Sequence, residues 1–210
     1  MYFEEGHLYH IYNQGNNKQV IFYNRENYLF FLKKIRSHLL PYCDILAYCL
    51  MPNHFHLMVH VNKLEILKMP EHTHGVTGSH PVSKTKNKKK QNINQSIGVL
   101  LRSYTRAINK QQGFSGSLFR EDTKSECLTK INGINPSFFN TNQGTLINNE
   151  IPIKQYPQIC FNYIHNNPVK SKLVKKPVDW EFSSAQDYYS LRNGTLINKQ
   201  LTKKYLIQVL

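Results

Sequence analysis

Met51-Pro52-Asn53-His54-Phe55-His56-Leu57-Met58-Val59-His60 is the stretch on which both the fold and the chemistry of this chain turn. Pro52-Asn53 is a turn signal, and an alternating apolar run follows it. On a strand, successive side chains point to opposite faces. His54 and His56 therefore share one face, while Phe55, Leu57 and Val59 point into a core on the other. Two imidazoles side by side on a rigid strand supply two of the donors that a metal ion needs. The same pair also fits a solvated sheet face, because His-x-His alone carries no structural context. His60 lies further along the histidine face and reads as a surface or DNA-facing residue.

Around this strand the pattern extends in both directions. Asp44 to Leu50 reads as the preceding strand, joined to it in a hairpin by the short Pro52-Asn53 connection. His7 to Tyr12 alternates as a first strand. Between them, Tyr28, Leu29, Leu32, Ile35 and Leu39 recur at helical spacing from an Asn24 N-cap until Pro41. Downstream, Ile97, Leu100, Leu101, Tyr104 and Ile108 line one face of a helix that starts near Ser96 and is closed by Gly113. Ser117 to Leu128 reads as a further strand or strand pair. The order strand, helix, strand, strand, helix, strand predicts an α+β chain with a ferredoxin-like β-α-β-β-α-β antiparallel sheet and its helices on one face.

A last helix is predicted from about Tyr156 to Asn166, with Ile159, Cys160, Tyr163 and Ile164 inward. It should end there, because Pro168 drives Asn167 away from helical geometry. Residues 71–95 and 129–153 lack periodicity and read as irregular loops within one domain spanning 1–210. The His72-x-His74 pair in the first loop has no strand to hold it.

Charge narrows the function. The 210 residues carry 27 Lys and Arg against 13 Asp and Glu, a net of +14. That excess points to a polyanionic partner, and nucleic acid suits it better than a membrane surface. No long apolar span is present and Met1-Tyr2-Phe3-Glu4-Glu5 is not a signal peptide, so a cytoplasmic protein is expected. Cys43, Cys49, Cys127 and Cys160 form no Cys-x-x-Cys pair and read as reduced thiols. Arg102, Arg106 and Lys110 recur every four residues on the polar helix face, with Arg120 and Lys124 following. They read either as DNA-phosphate contacts or as a solvated face. Tyr104 and Phe119 read either as base-stacking residues or as core.

Tyr163 and Asn167 are four residues apart, hence neighbours on one helical face and able to reach a common site. Each has an ordinary alternative, a core tyrosine and a turn asparagine before proline.

These residues together resemble the one-tyrosine HUH (histidine, hydrophobe, histidine) transposases, and among them the REP-associated tyrosine transposases. The resemblance runs from about Tyr9 to Tyr188. Leu46-Ala47-Tyr48-Cys49-Leu50-Met51-Pro52-Asn53-His54-Phe55-His56 carries it, with Ser103-Tyr104-Thr105-Arg106, Gly116-Ser117-Leu118-Phe119 and Tyr163-Ile164-His165-Asn166-Asn167-Pro168-Val169-Lys170. Asp179-Trp180-Glu181-Phe182-Ser183-Ser184 is similar to the segment that follows the tyrosine helix. The resemblance implies that His54, His56 and the Asn167 amide oxygen hold one Mg²⁺ or Mn²⁺. It implies that Tyr163 is the nucleophile, forming a 5′-phosphotyrosine link on single-stranded or hairpin DNA. Relatives work as homodimers or alone, and the sequence leaves that choice open. Two other classes remain: a zinc-dependent hydrolase with a stronger third ligand, and a non-enzymatic protein that binds hairpin DNA.

Overall fold

A computed structural model describes residues 1–68, 89–130, 138–141, 144–147 and 155–209. The chain runs β1 (Leu8–Gln14), α1 (Arg25–His38), β2 (Cys43–Met51), β3 (His54–Val61), β4 (Glu65–Lys68), β5 (Lys89–Asn92), α2 (Ile93–Gln112) and β6 (Lys124–Cys127). It continues through β7 (Phe138–Thr141), β8 (Gly144–Ile147), α3 (Tyr156–Lys170), α4 (Ala185–Tyr188) and α5 (Lys199–Tyr205). Four strands form one antiparallel sheet in the order β2-β3-β1-β6. The α+β class and the expected alternation of strands and helices hold, with the β4–β5 pair inserted before α2.

The sheet has two chemically distinct faces. Phe55, Leu57 and Val59 of β3 are buried, and Phe55 meets Phe31 of α1 at 5.1 Å between ring centroids. Helix α1 packs against α2 on this side. Tyr104 of α2 lies edge-on to Phe31 at 4.9 Å, and its hydroxyl donates to Ile21 O at 2.7 Å. Tyr104 and Phe119 are both core residues, so neither is free to stack on a base. The other face carries His54 and His56, and α3 lies across it. The helices therefore occupy both faces of the sheet rather than one.

Local chemistry sets the helix limits. Asn24 and Asn27 form a reciprocal capping box at the start of α1, and Asn92 and Gln95 do the same for α2. Helix α2 therefore begins at Ile93, and residues 89–95, expected to be loop, belong to β5 and α2. It ends at Gly113, whose φ of 70° places it in the left-handed region that glycine enters without strain. The second expected loop likewise holds a strand pair, β7 with β8. His72 and His74 lie outside the described residues. Of the stretch from Ser117 to Leu128, only Lys124–Cys127 forms a strand.

Helix α3 runs through Pro168 to Lys170, past the expected stop. A proline in a last turn forfeits one backbone donor, and the helix closes just beyond it through Ser171 N–H to Asn167 O at 2.9 Å. Asn167 consequently keeps its helical relation to Tyr163.

The segment after α3 fastens this helix to the sheet. Leu50 N–H donates to Phe182 O, Ser184 N–H donates to Tyr48 O, and Trp180 Nε1–H donates to Leu50 O, all at 2.9 Å. These bonds cover the outer edge of β2. Ser184 Oγ accepts from Tyr48 N–H at 2.9 Å and lies 2.7 Å from His165 Nε2 of α3. Arg192 braces the segment, reaching Asp187 Oδ2 at 2.7 Å, Ser183 O at 2.6 Å and the Tyr48 hydroxyl at 2.8 Å. No helix among the described residues is long and apolar enough to cross a membrane.

His165 is fully buried, and burial lowers its pKa from 6.5 to about 3. Below pH 6.5 the unfolded chain takes up a proton that the folded chain refuses. Its contribution is therefore complete above pH 6.5 and is lost as pH falls toward 3, on the order of 4 kcal/mol at the acid end. The urea midpoint should fall more steeply between pH 6.5 and 4 for the native chain than for His165→Gln. Equal slopes would show that His165 is not held neutral.

Candidate active site

Strand β3 presents His54 and His56 toward α3, and antiparallel pairing brings β1 alongside with Tyr12 opposite His56 and Gln14 opposite His54. The two imidazole rings lie 5.0 Å apart and nearly perpendicular. Tyr163, one turn before Asn167, sets its ring edge-on to His56 at 5.3 Å. Asn167 Oδ1 stands 3.3 Å from His54 Nε2. The four residues named from the sequence thus converge between β3 and α3.

Donor and acceptor roles can be assigned for His54. Its Nδ1–H donates to Asn53 Oδ1 at 2.6 Å, which leaves a lone pair on Nε2 facing the Asn167 oxygen. Two acceptors at that separation suit a shared cation between them. His56 Nδ1 lies 2.9 Å from His10 Nε2, while His56 Nε2 is buried without any hydrogen-bond partner. A buried orphan of this kind costs about 1–3 kcal/mol unless something fills it. The donor set of two imidazole nitrogens and one neutral oxygen fits a divalent ion with positions left for water and phosphate oxygen. Among the described residues, no group of three or more His, Cys, Asp or Glu is gathered for a metal. The third donor here is an amide.

Burial tunes the titratable groups. It lowers the pKa of His54, with Asn167 opposing, and holds His56 well below the usual histidine range, with His10 and His54 adding to the effect. Both imidazoles are therefore neutral near pH 7 and free of proton competition. Burial also raises the Tyr163 phenol above its ordinary value, and the Asn167 side chain partly offsets this. Tyr163 nevertheless stays 39% exposed, unlike a core tyrosine, so a substrate can reach it. Lys170 Nζ lies 5.3 Å from the centre of its ring.

Sequence reasoning passed over several neighbours. His10 and Tyr12 of β1 share the histidine face, and the Tyr12 hydroxyl donates to Glu126 Oε1 of β6 at 2.7 Å. Period-two alternation in β1 placed His10 and Tyr12 together, but only the long-range pairing with β3 places them beside His56.

The basic residues form a separate feature. Arg102, Arg106 and Arg120 line one cleft of about 610 Å³ between α2 and the segment 116–123. None of His54, His56 and Tyr163 lines it. Lys110 and Lys124 also lie outside this lining, and Lys124 is paired with Asp122 at 3.4 Å. All five cationic side chains are exposed.

No protein-family model and no curated protein matches the chain. A solved structure, of a REP-associated tyrosine transposase bound to a REP hairpin, is similar over 90% of this chain and 83% of that chain, with a TM-score of 0.51 and 14% identity. The two chains share a fold.

The Tyr163 phenol can be followed by ultraviolet titration as the difference between the native chain and Tyr163→Phe. Its ionisation should lie above that of free tyrosine, and Asn167→Ala should raise it further. A downward move in Asn167→Ala would show that the amide does not support the phenolate.

Proposed function

We propose that this chain is a transposase-like enzyme that cleaves and rejoins hairpin-associated single-stranded DNA through a 5′-phosphotyrosine intermediate. One observation carries the reading: a half-exposed tyrosine stands over two neutral histidines and an amide whose free acceptors converge. The shared fold with a transposase bound to a REP hairpin supports DNA as the substrate class.

His54 Nε2, His56 Nε2 and Asn167 Oδ1 would hold one Mg²⁺ or Mn²⁺. When bound, such an ion supplies Lewis acidity to the scissile phosphate. Tyr163 Oη attacks the phosphorus, forming its O–P bond as the bond to the 3′ oxygen breaks, which leaves a free 3′-hydroxyl. The phenolic proton must leave during the attack. Burial opposes that loss, so activation of Tyr163 falls to its immediate surroundings. The Asn167 side chain and the positive charge of Lys170 over the ring both favour the phenolate. The phosphotyrosine keeps the phosphodiester energy, so the 3′-hydroxyl can reverse the step without a nucleotide cofactor.

Zinc hydrolysis needs a third strong ligand beside His54 and His56. His10 is the nearest histidine, and its Nε2 is already engaged by His56. Hairpin binding uses the arginine cleft, where Arg102, Arg106 and Arg120 neutralise phosphates. The catalytic groups and this cleft lie on different elements, so binding and chemistry are separable by mutation.

Incubation of the chain with end-labelled hairpin DNA from the regions flanking its own gene, with Mn²⁺ or Mg²⁺, should give an adduct that survives denaturing electrophoresis. The adduct should require the ion and vanish in Tyr163→Phe. His56→Ala should lose it while still binding the hairpin. Tight hairpin binding by the native chain with no adduct would favour the non-enzymatic reading. The doubly substituted Arg102→Ala, Arg106→Ala chain should show a log–log salt slope shallower by about 1.5, the share of two phosphate contacts. An unchanged slope would remove α2 from the DNA surface.

A further inference from the structure

His56 and His10 form a buried imidazole pair, 5% and 6% exposed, whose rings stack at 5.1 Å. Their shared hydrogen bond, 2.9 Å between His56 Nδ1 and His10 Nε2, can be made in two ways. If His10 Nε2–H donates, His56 carries its proton on Nε2, where it is buried without an acceptor. His10 Nδ1 would then turn a lone pair toward Glu126 Oε2, 4.0 Å away. If His56 Nδ1–H donates instead, the proton of His10 sits on Nδ1, facing the carboxylate. His56 then keeps only a lone pair on Nε2. The first arrangement strands a donor and opposes lone pair to anion, while the second relieves both. Glu126 is itself held in place, because Oε1 accepts from the Tyr12 hydroxyl at 2.7 Å.

We propose that His10, backed by Glu126 and Tyr12, is a positioning residue that fixes His56 in the Nδ1–H tautomer and so turns its Nε2 lone pair into a ready ligand. The inference rests on the ion-binding role of His56 put forward above, although the tautomer itself does not. Metal-bound histidines generally donate their second ring nitrogen to a carboxylate or carbonyl that sets the tautomer. His54 does so through Asn53 Oδ1. His56 reaches its carboxylate one step further out, through a second imidazole. This arrangement also accounts for three polar side chains, His10 and Tyr12 of β1 and Glu126 of β6, gathered on a face where both strands could have carried apolar ones.

Ring nitrogen chemical shifts of the full chain, labelled with ¹⁵N and free of metal, test the tautomer directly. The native chain should show His56 protonated on Nδ1. His10→Phe fills the ring volume without an acceptor and should move the proton to Nε2. His10→Gln places an amide oxygen at about the reach of the lost Nε2 and should hold it on Nδ1. Titration with Mn²⁺ alone, followed by electron paramagnetic resonance, should then show about 10–100-fold weaker binding in His10→Phe and a smaller loss in His10→Gln. A native His56 protonated on Nε2 would overturn the proposal whatever the metal does. So would a His10→Phe chain that binds Mn²⁺ as tightly as the native one. A native chain with the expected tautomer and no affinity for Mn²⁺ would uphold His10 as the tautomer-setting residue and overturn the ion reading instead.

Discussion

The hydrogen bond between His165 and Ser184 holds the candidate site together. His165 points inward from α3, and Ser184 lies on the segment that pairs along β2, so this one buried contact ties the tyrosine helix to the histidine hairpin. Helix α3 has a weak apolar stripe of its own: Cys160, Phe161 and Ile164 are buried, while Gln158, Asn162 and Asn166 are polar. Its position against the sheet depends on this directional bond as well as on area. A slip of one residue along β2 would carry Tyr163 off His56. The bond is also short-range and fully desolvated, which makes it intolerant of small displacements.

The site and the surface of the chain follow opposite electrostatic rules. The chain as a whole carries an excess of 14 positive charges, suited to drawing in a polyanion over a distance. The site between β3 and α3 carries neutral imidazoles, an amide and an un-ionised phenol, and burial moves the His56 and Tyr163 pKa values further from their charged forms. Attraction and chemistry are thereby assigned to different places. Lys170, above the Tyr163 ring, is the cation that stands beside this uncharged group.

Much of this was legible in the amino-acid order where the signal is local. Strand β3 begins and ends where alternation and the Pro52-Asn53 turn put it, and α2 ends at Gly113. The start of α2 was legible too, in Asn92 and Gln95, but the adjoining lysine run hid a capping box. Pro168 misled because its usual effect on the preceding residue yields to a helix that is already seated and almost finished. Leu29 was expected inward and is exposed, since Phe31 and Tyr28 supply the face that meets the sheet. His10 and Glu126 could not have been found from spacing. They reach His56 only through the register of β1 against β3 and β6, which depends on pairings between residues far apart in the chain.

His165 and Ser184 are nineteen positions apart in the chain. During synthesis, β1 to β3 emerge first and can pair among themselves, and Tyr163 follows long after them. When Tyr163 first leaves the ribosome, the segment that seats its helix is still inside the exit tunnel. Tyr163 therefore meets His54 and His56 only after Ser184 has emerged, and a chain released before that point would lack the anchor that brings them together. The site is in this way assembled last, by a segment made after every residue it contains.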